Sequence, residues 1–228
     1  MAEGSRVDRR KARTRAALVR SAQGFLAKGK TNAAVLDITQ AADVSNGSFY
    51  NYFESKEELW QAAIDAAFES VGDYLDSLTV DLHDPVEKFT QSFRLSGRLF
   101  RLEPELSRVL LNSEAAAFAA PGGLAPRSRR DIESAAAAGR FDVEDADLAL
   151  AMVAGSLLSM GRLLLGQPDR DEAATVDGTT ERVLRALGIS PDEAHRLCSR
   201  ELPTSYGVDV HAVVDPTAEE TNISRRPL

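Results

Sequence analysis

Residues 46 to 53 read Asn46-Gly47-Ser48-Phe49-Tyr50-Asn51-Tyr52-Phe53. Their chemistry is that of recognition: two amides, a hydroxyl and two phenols can hydrogen-bond to base edges and phosphate oxygens. The spacing says how they are carried. Asn-Gly often turns a β-hairpin, but on a strand Phe49, Asn51 and Phe53 would share one face, putting an amide among aromatics. Positions 49, 50, 52 and 53 instead fit the i, i+3, i+4 pattern of a short helix. Phe49 and Phe53, four apart, are then its buried side. Asn46, Ser48, Tyr50, Asn51 and Tyr52 take the exposed side, Gly47 allows close backbone approach, and Lys56, beside the start of the next helix, is placed to hold a phosphate.

The elements that must position these residues are all helical. A helix over 10–28 has Ala17, Leu18, Ala22, Phe25 and Leu26 on one face and ends at Gly29. A short helix spans about 36–43. Ser55 and Glu58 form a capping box that opens a long helix through Leu59, Ile64, Phe68 and Leu75, and Asp84-Pro85 with Glu87 opens another to about 101. Further helices are expected from Pro104 to near Phe118, through Ile132 to Ala138, over 143–166, over 170–187, and from Ser190-Pro191. No strand run is evident, so the fold class is all-α. The first three helices, the last two joined by a tight turn, make a helix-turn-helix unit in which Ile38, Ala41, Ala42 and Val44 pack against Phe25, Phe49 and Phe53.

Charge supports the same division. The 228-residue chain carries a net charge of -8, yet residues 1–30 hold nine Lys/Arg against Glu3 and Asp8, so a basic arm including Arg9, Arg10 and Lys11 is attached to an acidic body. Such an arm suits nucleic acid through counterion release, while the body would be repelled from phosphates. On charge alone a solvated N-terminus explains the arm equally well. Cys198 is the only cysteine, which excludes an internal disulfide. The start has no apolar leader core, and the apolar stretch 148–165 contains Arg162, so a cytoplasmic chain without a membrane partner is expected. His83, His195 and His211 are scattered and no glycine-rich phosphate loop is present, so neither an enzyme, a metal site nor a cofactor is expected.

The run Leu36-Asp37-Ile38-Thr39-Gln40-Ala41-Ala42-Asp43-Val44-Ser45, continuing through Phe53 to Ser55-Lys56-Glu57-Glu58-Leu59-Trp60, resembles the signature of the TetR family of one-component transcriptional regulators. The resemblance covers about residues 10–65. It implies a DNA-binding helix-turn-helix domain over 1–56 and a helical effector-binding and dimerisation domain over 57–201; residues 202–228, with three prolines and few large apolar side chains, read by composition as a poorly ordered tail. It also implies that Ser45, Asn46, Gly47, Ser48, Tyr50, Asn51, Tyr52 and Lys56 fall on DNA-contacting positions and Phe49 and Phe53 on core ones. Two departures stand out. Leu36 replaces a base-reading arginine found in many members, and Ala34 replaces a capping Thr, for which Thr31 or Asn32 would substitute.

In the body, Leu150, Val153, Leu157, Met160 and Leu164 are spaced 3, 4, 3, 4, the seam of a helix packed lengthwise on another. Val176, Val183 and Leu187 continue that rhythm on the next helix. Two such seams suit the four-helix dimer bundle that the resemblance implies, with an intramolecular core as the competing reading. A largely apolar effector pocket, known only by analogy, is drawn from Phe89, Phe93, Arg94, Leu110, Leu111, Phe118, Met152 and Ser156. The stripe Arg94, Arg98, Arg101 could engage an anionic effector, although a solvated face is the favoured reading, as it is for Arg127, Arg129 and Arg130. The expected protein is a repressor that binds a palindromic operator as a homodimer and is released by a small effector. The alternative is an architectural, effector-independent DNA-binding dimer.

Overall fold

The computed structural model describes residues 2–112 and 123–203, with side chains from residue 7 onward. Ten helices and no strand occur among the described residues. The described residues divide into a head of three helices and a body of six, joined by one long helix that belongs to both.

In the head, α1 (Ala2–Ala27), α2 (Val35–Ala41) and α3 (Asn46–Phe49) enclose one core. Leu18, Val19, Ala22, Leu26, Ile38, Phe49 and Phe53 are buried there, with Phe25, Ala42 and Val44 packed at its edge. Ala41, at the last position of α2, is exposed instead. Side-chain bonds fasten the helices: the Ser21 hydroxyl donates to the Ile38 carbonyl at 2.9 Å, and the Gln23 amide to the Ala63 carbonyl on α4 at 3.0 Å.

The α2 start differs from the sequence expectation. Its N-cap is Ala34, which has no capping side chain, and the Asp37 carboxylate reaches back to accept from the Ala34 N–H at 3.2 Å. Neither Thr31 nor Asn32 caps it; both precede the N-cap by two or three positions.

The connecting helix α4 (Lys56–Leu78) belongs to both parts. Its first half, with Leu59, Ala63 and Ala67, is buried in the head core, and Phe68, Val71 and Leu75 continue into the body. Half of the expected capping box forms: Ser55 Oγ accepts from the Glu58 N–H at 3.1 Å, whereas Glu58 Oε2 accepts from the N–H of Glu54, one residue before the N-cap, at 2.6 Å.

The body contains α5 (Pro85–Leu102), α6 (Pro104–Asn112), α7 (Leu124–Ala137), α8 (Ala146–Gly166), α9 (Glu172–Ala186) and α10 (Pro191–Cys198). Asp84, Asp145, Asp171 and Ser190 cap four of these with their side chains. Helix α5 is central. A Cβ on its Gly97 would stand 2.7 Å from Val176 and 2.9 Å from Met160, so α8 and α9 approach it where a side chain is missing. By length and composition alone α8 could cross a membrane, but Ala149, Val153, Met160 and Leu164 are buried against its neighbours.

Candidate nucleic-acid interface and internal cavity

The third helix is shorter than expected, one turn that continues as hydrogen-bonded turns through Phe53. Tyr52 N–H donates to the Phe49 carbonyl at 2.9 Å, and Phe53 N–H to the same carbonyl at 3.1 Å. The tight link before it depends on Asp43, which takes a left-handed conformation at φ 54°. Short polar side chains tolerate that region better than branched ones. With the chain reversed there, Val44 N–H bonds to the Thr39 carbonyl at 2.9 Å, closing the C-terminus of α2.

Phe49 and Phe53 are buried, with ring centroids 6.0 Å apart. Ser45, Asn46, Gly47, Tyr50 and Asn51 are exposed, Tyr50 at 66%. Ser48 and Lys56 are half-buried, and Ser48 exchanges a hydrogen bond with Ser45 at 2.7 Å. Tyr52 is partly committed to packing against the head core. Arg9, Arg10 and Lys11 are exposed along α1, which extends eight residues further towards the N-terminus than the sequence predicts. Leu36, standing where a base-reading arginine is common, is 51% exposed. The result is a protruding turn of polar and phenolic groups, seated on two phenylalanines beside a basic helix.

A second feature lies in the body. A cavity of about 90 Å³ opens between α4, α5, α7 and α8. Its walls are mostly apolar: Phe68, Leu75, Phe89, Phe93, Leu124, Leu150, Val153, Leu157 and Leu158. One end is polar, carrying Asp76, Arg127 and Asp131, and Ser92, Ser96 and Ser128 add hydroxyls.

Environment drives the two carboxyls at this end apart. Burial pushes Asp131 above the ordinary carboxylate range, more strongly than its bond from Arg130 Nε at 3.0 Å pulls it down. Asp76 is also partly buried, but bonds from Arg130 and Arg127 outweigh that burial and hold its carboxyl below the ordinary range.

Of the residues drawn from analogy, Phe89 and Phe93 line this cavity. Leu110 and Leu111 are buried outside it, and Met152 and Ser156 are half-buried on α8 without lining it. Phe118 lies outside the described residues. Arg94 is not a pocket residue. It is 4% exposed and donates to Asp177 at 2.8 Å, to Gln91 at 3.1 Å and to the Arg200 carbonyl at 2.7 Å. With Arg98, also on Asp177, it ties α5 to α9, and Arg101 donates to the carbonyls of Gln167, Pro168 and Arg170. The arginine stripe is therefore an internal brace, neither an anion site nor a solvated face.

The heptad-like seam is also turned inward. Val153, Met160, Leu164, Val176, Val183 and Leu187 are buried within the single chain, and Leu150 and Leu157 border the cavity. Ridges at 3–4 spacing pack equally well on a neighbour in the same chain or on a second copy, and here α5 takes them. The opposite side of α8, with Leu148 at 70% exposure and Ala151, Gly155 and Ser159 along it, is left uncovered or half-covered.

Among the described residues no group of His, Cys, Asp and Glu is arranged to hold a metal. Cys198 is buried and its thiol is pushed up to about 12 by that burial.

Comparison with known proteins matches two family models to this chain. One, described as tetracyclin repressor-like, C-terminal domain, covers residues 84–200. The other, for bacterial regulatory proteins of the tetR family, covers residues 18–63. The HTH-type transcriptional repressor DhaR of Mycobacterium sp. (strain GP1) is 38% identical over 71 residues, a match spanning 31% of this chain and 36% of DhaR. The crystal structure of RolR complexed with resorcinol is 33% identical, with a TM-score of 0.61, covering 86% of this chain and 97% of that one. A tetR-family regulator from Shewanella sp. PV-4 aligns with a TM-score of 0.69 over 78% of this chain and 99% of its own, at 15% identity, a likeness of fold alone.

Proposed function

Because this chain belongs to the TetR family of DNA-binding transcriptional regulators, we propose that it represses as a homodimer on a palindromic operator and is released by a small hydroxylated aromatic compound. The observation that carries the DNA-binding half is the exposed turn Ser45–Tyr52 seated on buried Phe49 and Phe53, beside the basic α1. Asn46, Tyr50 and Asn51 are assigned to the major groove, and Lys56, Ser48 and the arm residues Arg9, Arg10 and Lys11 to phosphates. Tyr52, half in the core, supports the turn while its phenol reaches the backbone.

One such turn reads too few bases for a selective site, so two copies about one DNA turn apart are required. The uncovered face of α8 is the surface assigned to pairing. Its small residues Ala151, Gly155 and Ser159 allow a second helix to approach closely, and Ala174 and Gly178 extend that face onto α9.

Cavity size and lining argue for the effector class. A hole of about 150 Å³ holds a benzene ring, so a cavity of about 90 Å³ suits one small ring after slight widening, not a long acyl chain. Carboxylates at its polar end accept hydrogen bonds from ring hydroxyls, and the apolar walls cover the ring. RolR, which resembles this chain over most of its length, is known in complex with resorcinol, a compound of that description. An effector-independent architectural dimer has no use for buried charges beside an apolar cavity.

The test is selection of duplexes from a random-sequence library, followed by gel shift with Tyr50→Ala and Lys56→Ala. A palindromic consensus is expected, with each variant weakened at least tenfold while its melting temperature is retained. Absence of any selected consensus, or unchanged affinity in both variants, defeats the assignment. Raising salt from 50 to 200 mM should cut affinity by about 10³-fold if at least six phosphates are neutralised per dimer.

A further inference from the structure

Among the described residues, Arg127 alone both lines the cavity and binds three side chains of the helix entering the DNA-reading head. Its Nε donates to Asp76 at 2.8 Å. One terminal nitrogen donates to Glu69 at 3.2 Å and to the Gly123 carbonyl at 2.9 Å. The other donates to Glu69 at 3.0 Å and to Asp73 at 2.5 Å. All five of its N–H donors are thus used. Glu69, Asp73 and Asp76 follow one stripe of α4, and the guanidinium lies flat on the helix between them. A Cβ on Gly72 would stand 2.5 Å from its terminal nitrogen and 2.7 Å from its carbon. The Gly123 N–H adds a bond to Glu69 at 2.7 Å, so the α7 start is fastened at the same point.

Asp76 joins this fastening to the cavity. Both of its oxygens are occupied, one by Arg127 and the other by Arg130 at 2.9 Å, and the residue also lines the cavity wall. An occupant whose hydroxyl donates to Asp76, or whose oxygen accepts from Arg127, must draw on groups that hold α7 to α4. About 20 Å further along α4, Ala63 sits in the head core and accepts from Gln23 of α1.

We infer that the Arg127 guanidinium lying across Gly72 is the linkage through which cavity occupancy reaches the DNA-reading head. An empty cavity leaves the clamp closed and α4 in the register that suits DNA, and an occupant that recruits Asp76 or Arg127 opens it. This rests on the effector-released reading above, and the clamp residues Glu69, Gly72 and Asp73 do not themselves line the cavity. They can be altered without touching the occupant.

The experiment uses the full chain and a duplex selected by the wild type. Gly72→Ala displaces the guanidinium, and the double variant Glu69→Gln, Asp73→Asn, at positions about half exposed, loosens it without burying anything new. In the absence of any small molecule both should bind the duplex at least fivefold more weakly than wild type, within the usual range of allosteric coupling of about 5-fold to 150-fold. Saturating resorcinol should weaken wild-type binding by a similar factor and the variants by less than twofold, while calorimetry shows the variants binding resorcinol at least as tightly as wild type and up to about that same factor more tightly, since the clamp no longer has to be opened. Variants that fold, bind the duplex as wild type does and respond to resorcinol as wild type does would overturn the clamp. If wild type binds the duplex but not resorcinol, the effector class fails alone and the ligand-free DNA affinities still decide the clamp. A wild type that selects no duplex would sink both.

Discussion

The guanidinium carbon of Arg15 stands 5.0 Å from the centre of the Phe53 ring. Phe53 is 1% exposed and supports the DNA-reading turn from below, so an exposed cation of the basic helix is pinned where that turn ends. Two different losses follow from the two partners. Phe53→Ala removes a filled core ring and should cost about 3–5 kcal/mol of stability. Arg15→Gln gives up a cation–π contact worth about 0.5–1 kcal/mol at an exposed site, yet should reduce DNA affinity and the steepness of its salt dependence. Urea denaturation and duplex titration at two salt concentrations separate these outcomes.

The turn before the reading helix makes a second prediction. Asp43 holds φ 54°, a conformation in which glycine is unstrained and a β-branched residue is an outlier. Asp43→Gly should leave stability unchanged or raise it by up to about 1 kcal/mol, whereas Asp43→Val should cost about 1–3 kcal/mol. Chemical denaturation of both variants measures the difference. The Val variant should also lose duplex binding, since Val44 and Ser45 follow directly.

Much of the head was legible because its signals are local. Ser55 with Glu58, the four-residue spacing of Phe49 and Phe53, and the Gly29 stop each lie within one or two turns of what they determine. What the body hid was pairing over distance. Arg127 looks like surface charge until Glu69, Asp73 and Asp76, more than 50 positions earlier, are brought beneath it. Arg94 likewise finds Asp177 83 positions away. The seam through Val153 and Met160 was visible as a seam, but periodicity names no partner, and the space left by Gly97 on α5 decides it.

That reversal changes what mutations on α8 should do. Val153 is 3% exposed and faces the protomer core, so Val153→Ala should destabilise by about 1–3 kcal/mol with assembly unaltered. Gly155→Arg places a bulky cation on the opposite, partly uncovered face and should shift sedimentation from dimer to monomer at micromolar concentration with little change in protomer stability. A dimer that survives Gly155→Arg, Ala151→Glu and Leu148→Asp alike would move the pairing surface elsewhere.

Asp131 and Asp76 stand at the same end of the cavity but should respond oppositely to pH. Burial raises the folded-state pKa of Asp131, so the folded chain holds that proton to higher pH than the unfolded chain does. Its favourable contribution is complete below the unfolded value near ~4 and is lost as pH rises through the folded value. Asp131→Asn should therefore raise the melting temperature at pH 7, by on the order of 2 °C, and the gain should vanish towards pH 4. Arg130 keeps Asp76 as its partner in this variant. For Asp76 the bonds from Arg130 and Arg127 win over burial and depress the pKa, so its contribution is present above the unfolded value and disappears as pH falls through the folded one. Asp76→Asn should lower the melting temperature at pH 7 and matter less in acid. Both substitutions remove a carboxylate acceptor from the cavity and should weaken resorcinol binding at least tenfold, about 1.4 kcal/mol. Calorimetric melts at pH 4 and 7, paired with resorcinol titration, would contradict the cavity assignment if the two aspartates shifted stability in the same direction or left resorcinol affinity intact.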